Sequence, residues 1–155
     1  MIIKGSCATD LTPLDGSSHL DIAVSAFYGL TTLTSLPKFP NVINNDVNDV
    51  AVYLYRYSFA HTGLISVDLT FMDNYNNGWY GEFGQFEGCQ NLLSAILPKT
   101  LIENSDYSDW FKDCPKLEYV DFSGNENFTA DVTPESLLLD MGIPEDQISR
   151  ITIKR

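Results

Sequence analysis

The sequence has few cationic residues, with nine Lys and Arg against 21 Asp and Glu, and its formal net charge is -12 at pH 7. An acidic surface repels the phosphate groups of nucleic acids and of anionic membranes. We therefore expect no nucleic-acid partner. No hydrophobic run approaches the roughly 20 residues that a membrane-spanning helix requires, so we expect no membrane insertion either.

Cysteine and histidine are also scarce, with three cysteines (Cys7, Cys89, Cys114) and two histidines (His19, His61). An odd number of cysteines leaves at least one thiol without a partner inside the chain. The cysteines form no Cys-x-x-Cys pair and the histidines lack ligand spacing, so we expect neither a metal nor another cofactor. No Gly-x-Ser-x-Gly motif or other nucleophile arrangement occurs. These gaps argue against an enzyme.

The length of 155 residues corresponds to one domain, which would span the whole chain and bury about two thirds of the surface that the unfolded chain exposes. With 44% hydrophobic and 12% aromatic residues, the composition is that of a globular protein. We expect a repeat region at about residues 20–130 and a C-terminal cap at about residues 131–155.

The sequence repeats one short pattern several times. Apolar residues at positions 0, +3 and +5 occur at Leu33, Leu36 and Lys38 (where the third position fails), at Leu64, Val67 and Leu69, at Leu92, Ala95 and Leu97, at Leu117, Val120 and Phe122, and at Ile148, Ile151 and Ile153. A phenylalanine precedes the first four copies by five or six residues: Phe27, Phe59, Phe86 and Phe111. A period of 25 to 31 residues indicates a solenoid, because one such unit cannot bury its own apolar face.

Each copy predicts a short strand. Positions +3 and +5 point to the same side of an extended segment, so Val67 and Val120 face the core whereas Asp68 and Asp121 face outward. We expect a second strand before each phenylalanine, because residues 50–55 (VAVYLY) and, more loosely, 20–24 (LDIAV) alternate. The equivalent segments 79–86 and 105–111 are too Gly-rich or too polar to assign.

The connections and the C-terminus carry their own signals. Asn77-Gly78 is a tight-turn dipeptide and indicates a small hairpin within the insertion 71–84. A short helix is predicted, with Thr133 as its N-cap, Pro134 at its first position, Gly142 at its end and Pro144 beyond it. The final segment 148–155 is predicted to form a strand. The helix and this strand are expected to close the end of the stack.

The repeated stretches AFYGLTTLTSLP, SFAHTGLISVDL, QFEGCQNLLSAILP and WFKDCPKLEYVDF resemble the BspA-type leucine-rich repeat family. The resemblance covers about residues 20–122 and extends through the last copy. It implies an α/β leucine-rich-repeat solenoid of about four to five irregular repeats with short parallel strands. It also implies an extracellular or cell-surface adhesion protein of bacteria or some protozoa. Residues 1–19 lack the apolar core of a secretory signal, so either the protein is not exported by that route or an export signal has been removed, and the surface location that the resemblance implies favours removal.

Several other residue groups have structural interpretations. Cys89 and Cys114 occupy equivalent repeat positions and should stack as small buried side chains, with a disulfide as the alternative. His61 is expected in a solvated turn. Asn44, Asn45, Asp46, Asn48 and Asp49 offer oxygen ligands suited to calcium but lack the EF-hand pattern, which favours a polar loop. Asp68 and Asp121 would serve a glycosidase only if they faced a common cleft.

The predicted function is a non-catalytic binding or adhesion module for a protein or glycan ligand, with a structural spacer or assembly module, in a larger surface protein or a phage particle, as the alternative. The outward row comprises Thr34, Ser35, Ile65, Ser66, Asp68, Leu93, Ser94, Ile96, Glu118, Tyr119 and Asp121. Exposed apolar residues grouped on one face are typical of interaction surfaces. The aromatic insertion 71–83 adds Tyr75, Trp79 and Tyr80, which we expect to overhang this row, with Trp79 as the anchor.

Overall fold

The structure, a computed structural model, describes residues 2–3, 9–125 and 127–155, so that Cys7 lies outside the described residues. The described chain forms a solenoid of about four turns in which every strand runs parallel to its neighbours. The predicted stack of short parallel strands is therefore confirmed. The strands form two separate sheets.

The first sheet has the order β1 (Ile2–Ile3), β2 (Leu20–Ile22), β3 (Val52–Leu54), β5 (Trp79–Gly81). Strands β2 and β3 lie in the segments 20–24 and 50–55, which confirms the second strand expected before the phenylalanine. Strand β5 lies in the segment 79–86, which the sequence does not assign because Gly81 and Gly84 interrupt its alternation. The segment 105–111 contributes only a single bridge, between Ser105 and Gly81.

The second sheet has the order β4 (Ser66–Asp68), β6 (Ser94–Ile96), β7 (Tyr119–Asp121), β8 (Thr152–Lys154). Val67, Ala95 and Val120 pair in register and are buried, as the repeat predicted. The first copy is less regular, since Thr34 and Ser35 are exposed but lie outside the strands. Backbone bonding still joins it to the stack, because the Ile65 amide donates to the Thr34 carbonyl at 3.1 Å.

The four phenylalanines form a continuous stack in the core. The ring centroids of Phe27 and Phe59 are 5.0 Å apart, those of Phe59 and Phe86 are 5.9 Å apart, and those of Phe86 and Phe111 are 5.8 Å apart. The planes are inclined by 9° to 17°, and each ring is at most 1% exposed. The repeated phenylalanine therefore supplies one shared column of apolar surface to all the turns.

The backbone around each phenylalanine has the same shape in every turn. Residues two positions before and two positions after it have positive φ: Ser25 and Gly29, Tyr57 and His61, Gly84 and Gly88, Asp109 and Asp113. This geometry aligns three amides of one turn with carbonyls of the next; for example, Tyr57, Phe59 and His61 donate to Phe83, Gln85 and Glu87. The ladder satisfies buried backbone groups that have no sheet partner.

Short helices join and cap the stack. Two 3₁₀ helices cover Thr12–Leu14 and Thr70–Asn74, and α1 covers Leu101–Asn104. The predicted cap helix is present as α2 (Pro134–Asp140), with Thr133 and Ser136 forming a reciprocal capping box. A further turn, α3 (Glu145–Ile148), leads into β8. The predicted C-terminal cap helix and strand are both confirmed.

Two local predictions are wrong. Asn77 and Gly78 do form a tight turn with positive φ, but no hairpin follows, because a 3₁₀ helix precedes the turn and β5 pairs in parallel with β3. The last repeat copy is out of register by two residues, since Ile153 rather than Ile151 pairs with Val120. Helices α2 and α3 take the place of the phenylalanine turn there, and the spacing of the earlier copies is not kept.

Candidate functional site

The second sheet presents an outward surface, here called the strand face. One row across it is formed by Ser66, Ser94, Tyr119 and Thr152, and the next row is formed by Asp68, Ile96, Asp121 and Lys154. Ile65 and Leu93 adjoin the first row and are 46% and 38% exposed. Five of the predicted site residues (Ile65, Asp68, Ile96, Tyr119, Asp121) are thus brought together on one face.

Asp121 is the most constrained polar group of the strand face. It is only 6% exposed, and its carboxylate accepts bonds from the Ser123 amide at 2.8 Å and from Lys154 Nζ at 3.1 Å. Burial by itself raises the pKa of Asp121, but the hydrogen bonds from Ser123 and Lys154 outweigh it, so the net effect lowers the pKa. The carboxylate is therefore held in its ionised form by a partner that sequence reasoning did not include.

The prediction that Trp79 anchors a ligand is wrong. Trp79 is 1% exposed, its indole nitrogen donates to Thr100 Oγ1 at 3.1 Å, and its ring packs against Trp110. The cause is the alternation of β5, which turns Trp79 and Gly81 inward and Tyr80 outward. A Cβ at Gly81 would lie 3.0 Å from the Trp110 ring, so the glycine makes room for the two indoles.

The other two aromatic site residues also lie away from the predicted position. Tyr75 is half-buried, donates its hydroxyl to the Pro40 carbonyl at 3.0 Å, and packs against Phe71. Burial, with a contribution from Asp15, raises the pKa of Tyr75 to about 12. Tyr80 points outward from the first sheet rather than over the strand face. The aromatic insertion therefore does not extend the strand face.

A second surface, here called the tyrosine face, lies on the outside of the first sheet. It comprises Tyr53, Tyr55 and Tyr80, all partly exposed. The ring centroid of Tyr53 is 4.4 Å from that of Tyr55 and 5.2 Å from that of Tyr80. Sequence reasoning missed this face, although the alternation of VAVYLY already placed Tyr53 and Tyr55 on the side away from Val52 and Leu54.

Acidic side chains border the tyrosine face. Asp21 pairs in register with Tyr53, and Glu82 accepts a bond from the Tyr53 hydroxyl at 3.3 Å. Burial, followed by the charge of Glu82, raises the pKa of Tyr53 to about 12. His19 lies between two carboxylates, with Nε2 2.8 Å from Asp21 Oδ1 and Nδ1 3.4 Å from Asp49 Oδ2.

Two shallow grooves flank the three rings. One, of about 470 Å³, is lined by the loop 47–50 together with Tyr53, Asn77 and Tyr80. The other, of about 380 Å³, is lined by Ile2, Asp21, Ala23, Val24 and Tyr55. Each groove thus has a tyrosine ring and a carboxylate, Asp49 or Asp21, in its wall.

The polar loop 44–49 uses its side chains to hold its own shape. Asn44 is 4% exposed, donates to the Asp49 carbonyl and accepts from the Asp46 amide. The Asn44 carbonyl accepts bonds from the side chains of Asn76 and Asn77. The polar-loop interpretation is consistent with these contacts, and they attach the loop to the turn before β5.

The cysteines and His61 are placed as the repeat suggested. Cys89 and Cys114 are buried free thiols, and they donate to the carbonyls of Phe59 and Phe86, one turn back in each case. Burial raises the pKa of both thiols. His61 is an exposed turn residue whose ring contacts Tyr28.

Within residues 2–3, 9–125 and 127–155, no group of three or more His, Cys, Asp or Glu side chains is arranged to hold a metal ion. The helices of the described segments are all too short to cross a membrane. Comparison with models of known protein families, with curated proteins and with solved structures gives no match.

Proposed function

We propose that the protein is a non-catalytic binding module of the BspA-type leucine-rich-repeat kind, which holds a protein or glycan ligand on its strand face. The observation that carries this proposal is the register of the second sheet. Four parallel strands place their outward side chains in straight rows, and Ile65 and Leu93 remain substantially exposed beside them. Exposed apolar side chains within a polar surround are typical of recognition surfaces.

Backbone hydrogen bonds between neighbouring strands hold the strand face in place. The Leu93 amide donates to the Ile65 carbonyl at 2.8 Å, and the Glu118 amide donates to the Leu93 carbonyl at 3.0 Å, so the apolar row is cross-linked by backbone hydrogen bonds. A preformed surface loses little conformational entropy when a ligand binds. The proposed contacts are Ile65, Asp68, Ile96 and Tyr119. Asp121, which was expected among them, lies on the same face but is 6% exposed and bonded to Lys154.

The arrangement of the carboxylates supports a non-catalytic role. Asp68 and Asp121 lie in the same row, but Ile96 stands between them, which separates their backbones by two strand spacings, about 10 Å. Asp121 is also engaged by Lys154. A pair of catalytic carboxylates needs a shared site in which one of them is free to take up a proton.

A direct test compares wild type with two variants on an oligosaccharide array and on a panel of purified surface glycoproteins. Ile65→Ser and Tyr119→Ala alter the strand face, and Phe83→Ala serves as the control because Phe83 packs against Tyr57 near the first sheet. We expect both strand-face variants to weaken any captured ligand by at least about fivefold, in line with loss of an interface contact worth over 1 kcal/mol. Unchanged binding by both, with the fold intact by circular dichroism, would contradict the proposed site.

An assembly role is the second candidate, and the sheet edges favour it. Strands β1 and β8 are terminal in their sheets, and terminal strands present backbone groups that another chain can pair with. Light scattering after size-exclusion chromatography distinguishes the two roles in part. A stable oligomer at low micromolar concentration would support assembly, and a monomer would support the binding module.

The extracellular location implied by the family resemblance also remains part of this proposal.

A further inference from the structure

We propose that the tyrosine face is a second binding site and that it binds an arginine- or lysine-bearing segment of a partner protein. This site lies on a different sheet from the strand face and uses none of its residues. It therefore does not depend on the function proposed above.

The rings supply the first part of the recognition. Tyr53 contacts both Tyr55 and Tyr80, so three partly exposed aromatic side chains form one continuous surface across β3 and β5. The electron-rich faces of aromatic rings attract guanidinium and ammonium groups, and guanidinium groups also stack on them. The grooves beside the rings can accommodate the aliphatic part of such a side chain.

The carboxylates supply the second part. Glu82 bonds to the Tyr53 hydroxyl, Asp21 lies beside Tyr53 in the sheet, and Asp49 lines the groove next to Tyr80. The charge of Asp21, followed by burial and by the charges of Glu82 and Asp49, raises the pKa of Tyr55, in accord with the position of these three carboxylates around the rings. A cation placed among them gains attraction from each one.

Among the described residues, the cationic side chains at this face are outnumbered by the three carboxylates. His19 contacts Asp21 and Asp49, and Arg56 directly follows Tyr55 in the chain. The Arg56 backbone amide donates a hydrogen bond to Glu82 Oε2 at 2.9 Å. Because the whole chain carries a formal charge of -12, the field over this surface favours a positively charged partner.

A neutral glycan fits this surface less well. The planes of the ring pairs are inclined by 38° and 42°, so the three rings do not share one flat platform for a sugar ring. A neutral sugar gains little from three carboxylates, and an acidic one is repelled by them. The combination of tilted rings and negative charge points to a cationic side chain.

The test is isothermal titration calorimetry of the whole chain, at low ionic strength, with a Gly-Ser peptide that carries two arginines. The control peptide has glutamine at both positions. We expect millimolar or tighter binding of the arginine peptide and at least about tenfold weaker binding of the glutamine peptide. Added salt should weaken the interaction, since the charges are near the surface.

Matched variants locate the site. Glu82→Gln keeps an acceptor for the Arg56 amide but removes the charge, and Tyr80→Leu removes one ring; each should weaken binding at least about threefold. Asp68→Asn and Tyr119→Leu make comparable changes on the strand face and should leave binding within about twofold. Arg56→Gln should strengthen it about twofold, because a competing charge is lost.

The possible failures are distinct. Absence of binding at millimolar peptide, equal binding of the glutamine peptide, or equal losses in the tyrosine-face and strand-face variants would each overturn the proposal. None of these results bears on ligands of the strand face. Circular dichroism of each variant confirms that the fold is kept.

Discussion

The ring of Phe59 stacks between the rings of Phe27 and Phe86, with its centroid 5.0 Å from that of Phe27 and planes only 9° apart. Each ring belongs to a different turn of the solenoid. The column therefore runs through successive turns of the core, and Phe59 lies inside it rather than at its end.

Replacement of Phe59 by alanine should be strongly destabilising. The substitution leaves a cavity flanked by two rings that cannot close it, because the backbone ladder fixes the distance between turns. We expect a loss of about 3–5 kcal/mol in the free energy of unfolding, measured by denaturant titration. Phe83→Ala is the matched control, since Phe83 is half-buried and contacts Tyr57 at the surface. Comparable losses for the two variants would contradict a special role for the column.

Gly63 is a position where even one methyl group should not be tolerated. A Cβ there would lie 1.9 Å from the carbonyl oxygen of Thr31, which is backbone and cannot rotate away. We expect Gly63→Ala to destabilise the protein by at least about 1–3 kcal/mol, as overpacking does. At Gly124 a Cβ would meet only Lys99, at 3.6 Å, so Gly124→Ala should change the stability by less than about 0.5 kcal/mol. Equal effects in thermal melts would show that the turns can separate.

The thiols of Cys89 and Cys114 should be unreactive in the folded protein. Both are buried, and burial raises the pKa of each, so the reactive thiolate is scarce at neutral pH. We expect iodoacetamide at pH 8 to leave both unmodified in the native state and to modify both in guanidinium chloride, as read by peptide mass spectrometry. A peptide pair linked through these two cysteines would instead indicate a disulfide.

The raised pKa of the two thiols should make the protein less stable at alkaline pH. Because the folded-state pKa of both thiols lies above the unfolded value, their contribution is fully present below the unfolded pKa and is lost as the pH rises above it. The free energy of unfolding should therefore decline from about pH 8.5 upward. A Cys89→Ala, Cys114→Ala double variant should show a shallower decline. An unchanged slope in this variant would assign the effect to other groups.

Asp121 should make the protein less stable at acidic pH. Its folded pKa is lowered, so its contribution to stability is present above the unfolded pKa of about 3.9 and disappears as the pH falls through the folded value. Asp121→Asn should flatten the loss of stability below about pH 4.5, measured by chemical unfolding. Asp113→Asn, an exposed carboxylate in a turn, is the control and should leave that slope unchanged. If both variants retained the full slope, Lys154 would not stabilise the ionised carboxylate.

Much of the fold was predictable from local patterns. The 0, +3, +5 triplets identified Val67, Ala95 and Val120 as inward residues, because period-two alternation is a property of any extended chain. The phenylalanine register indicated the repeat, and the structure shows that the rings stack, because equivalent turns place equivalent residues above one another. The cap helix was predictable from local geometry. Thr133 caps its first turn, Pro134 occupies its first position, and Gly142 follows its end with a positive φ.

The site was predictable only in part. Ile65, Asp68, Ile96, Tyr119 and Asp121 share the expected face, yet the ion pair of Asp121 with Lys154 depends on a two-residue change of register in the last turn. No periodic pattern in the sequence predicts such a change, because helices α2 and α3 interrupt the repeat before β8.

The sequence by itself determined the repeat, the inward residues and the strongly acidic character of this protein, since each of these depends on residue spacing or on composition alone. The tertiary structure decided which side of β5 faces the core. Gly81 and Gly84 interrupt the alternation there, and the outcome depends on Trp110, whose ring occupies the space that Gly81 leaves. Trp79 is therefore buried, and Tyr80 joins Tyr53 on an outer face that forms only when β3 and β5 pair.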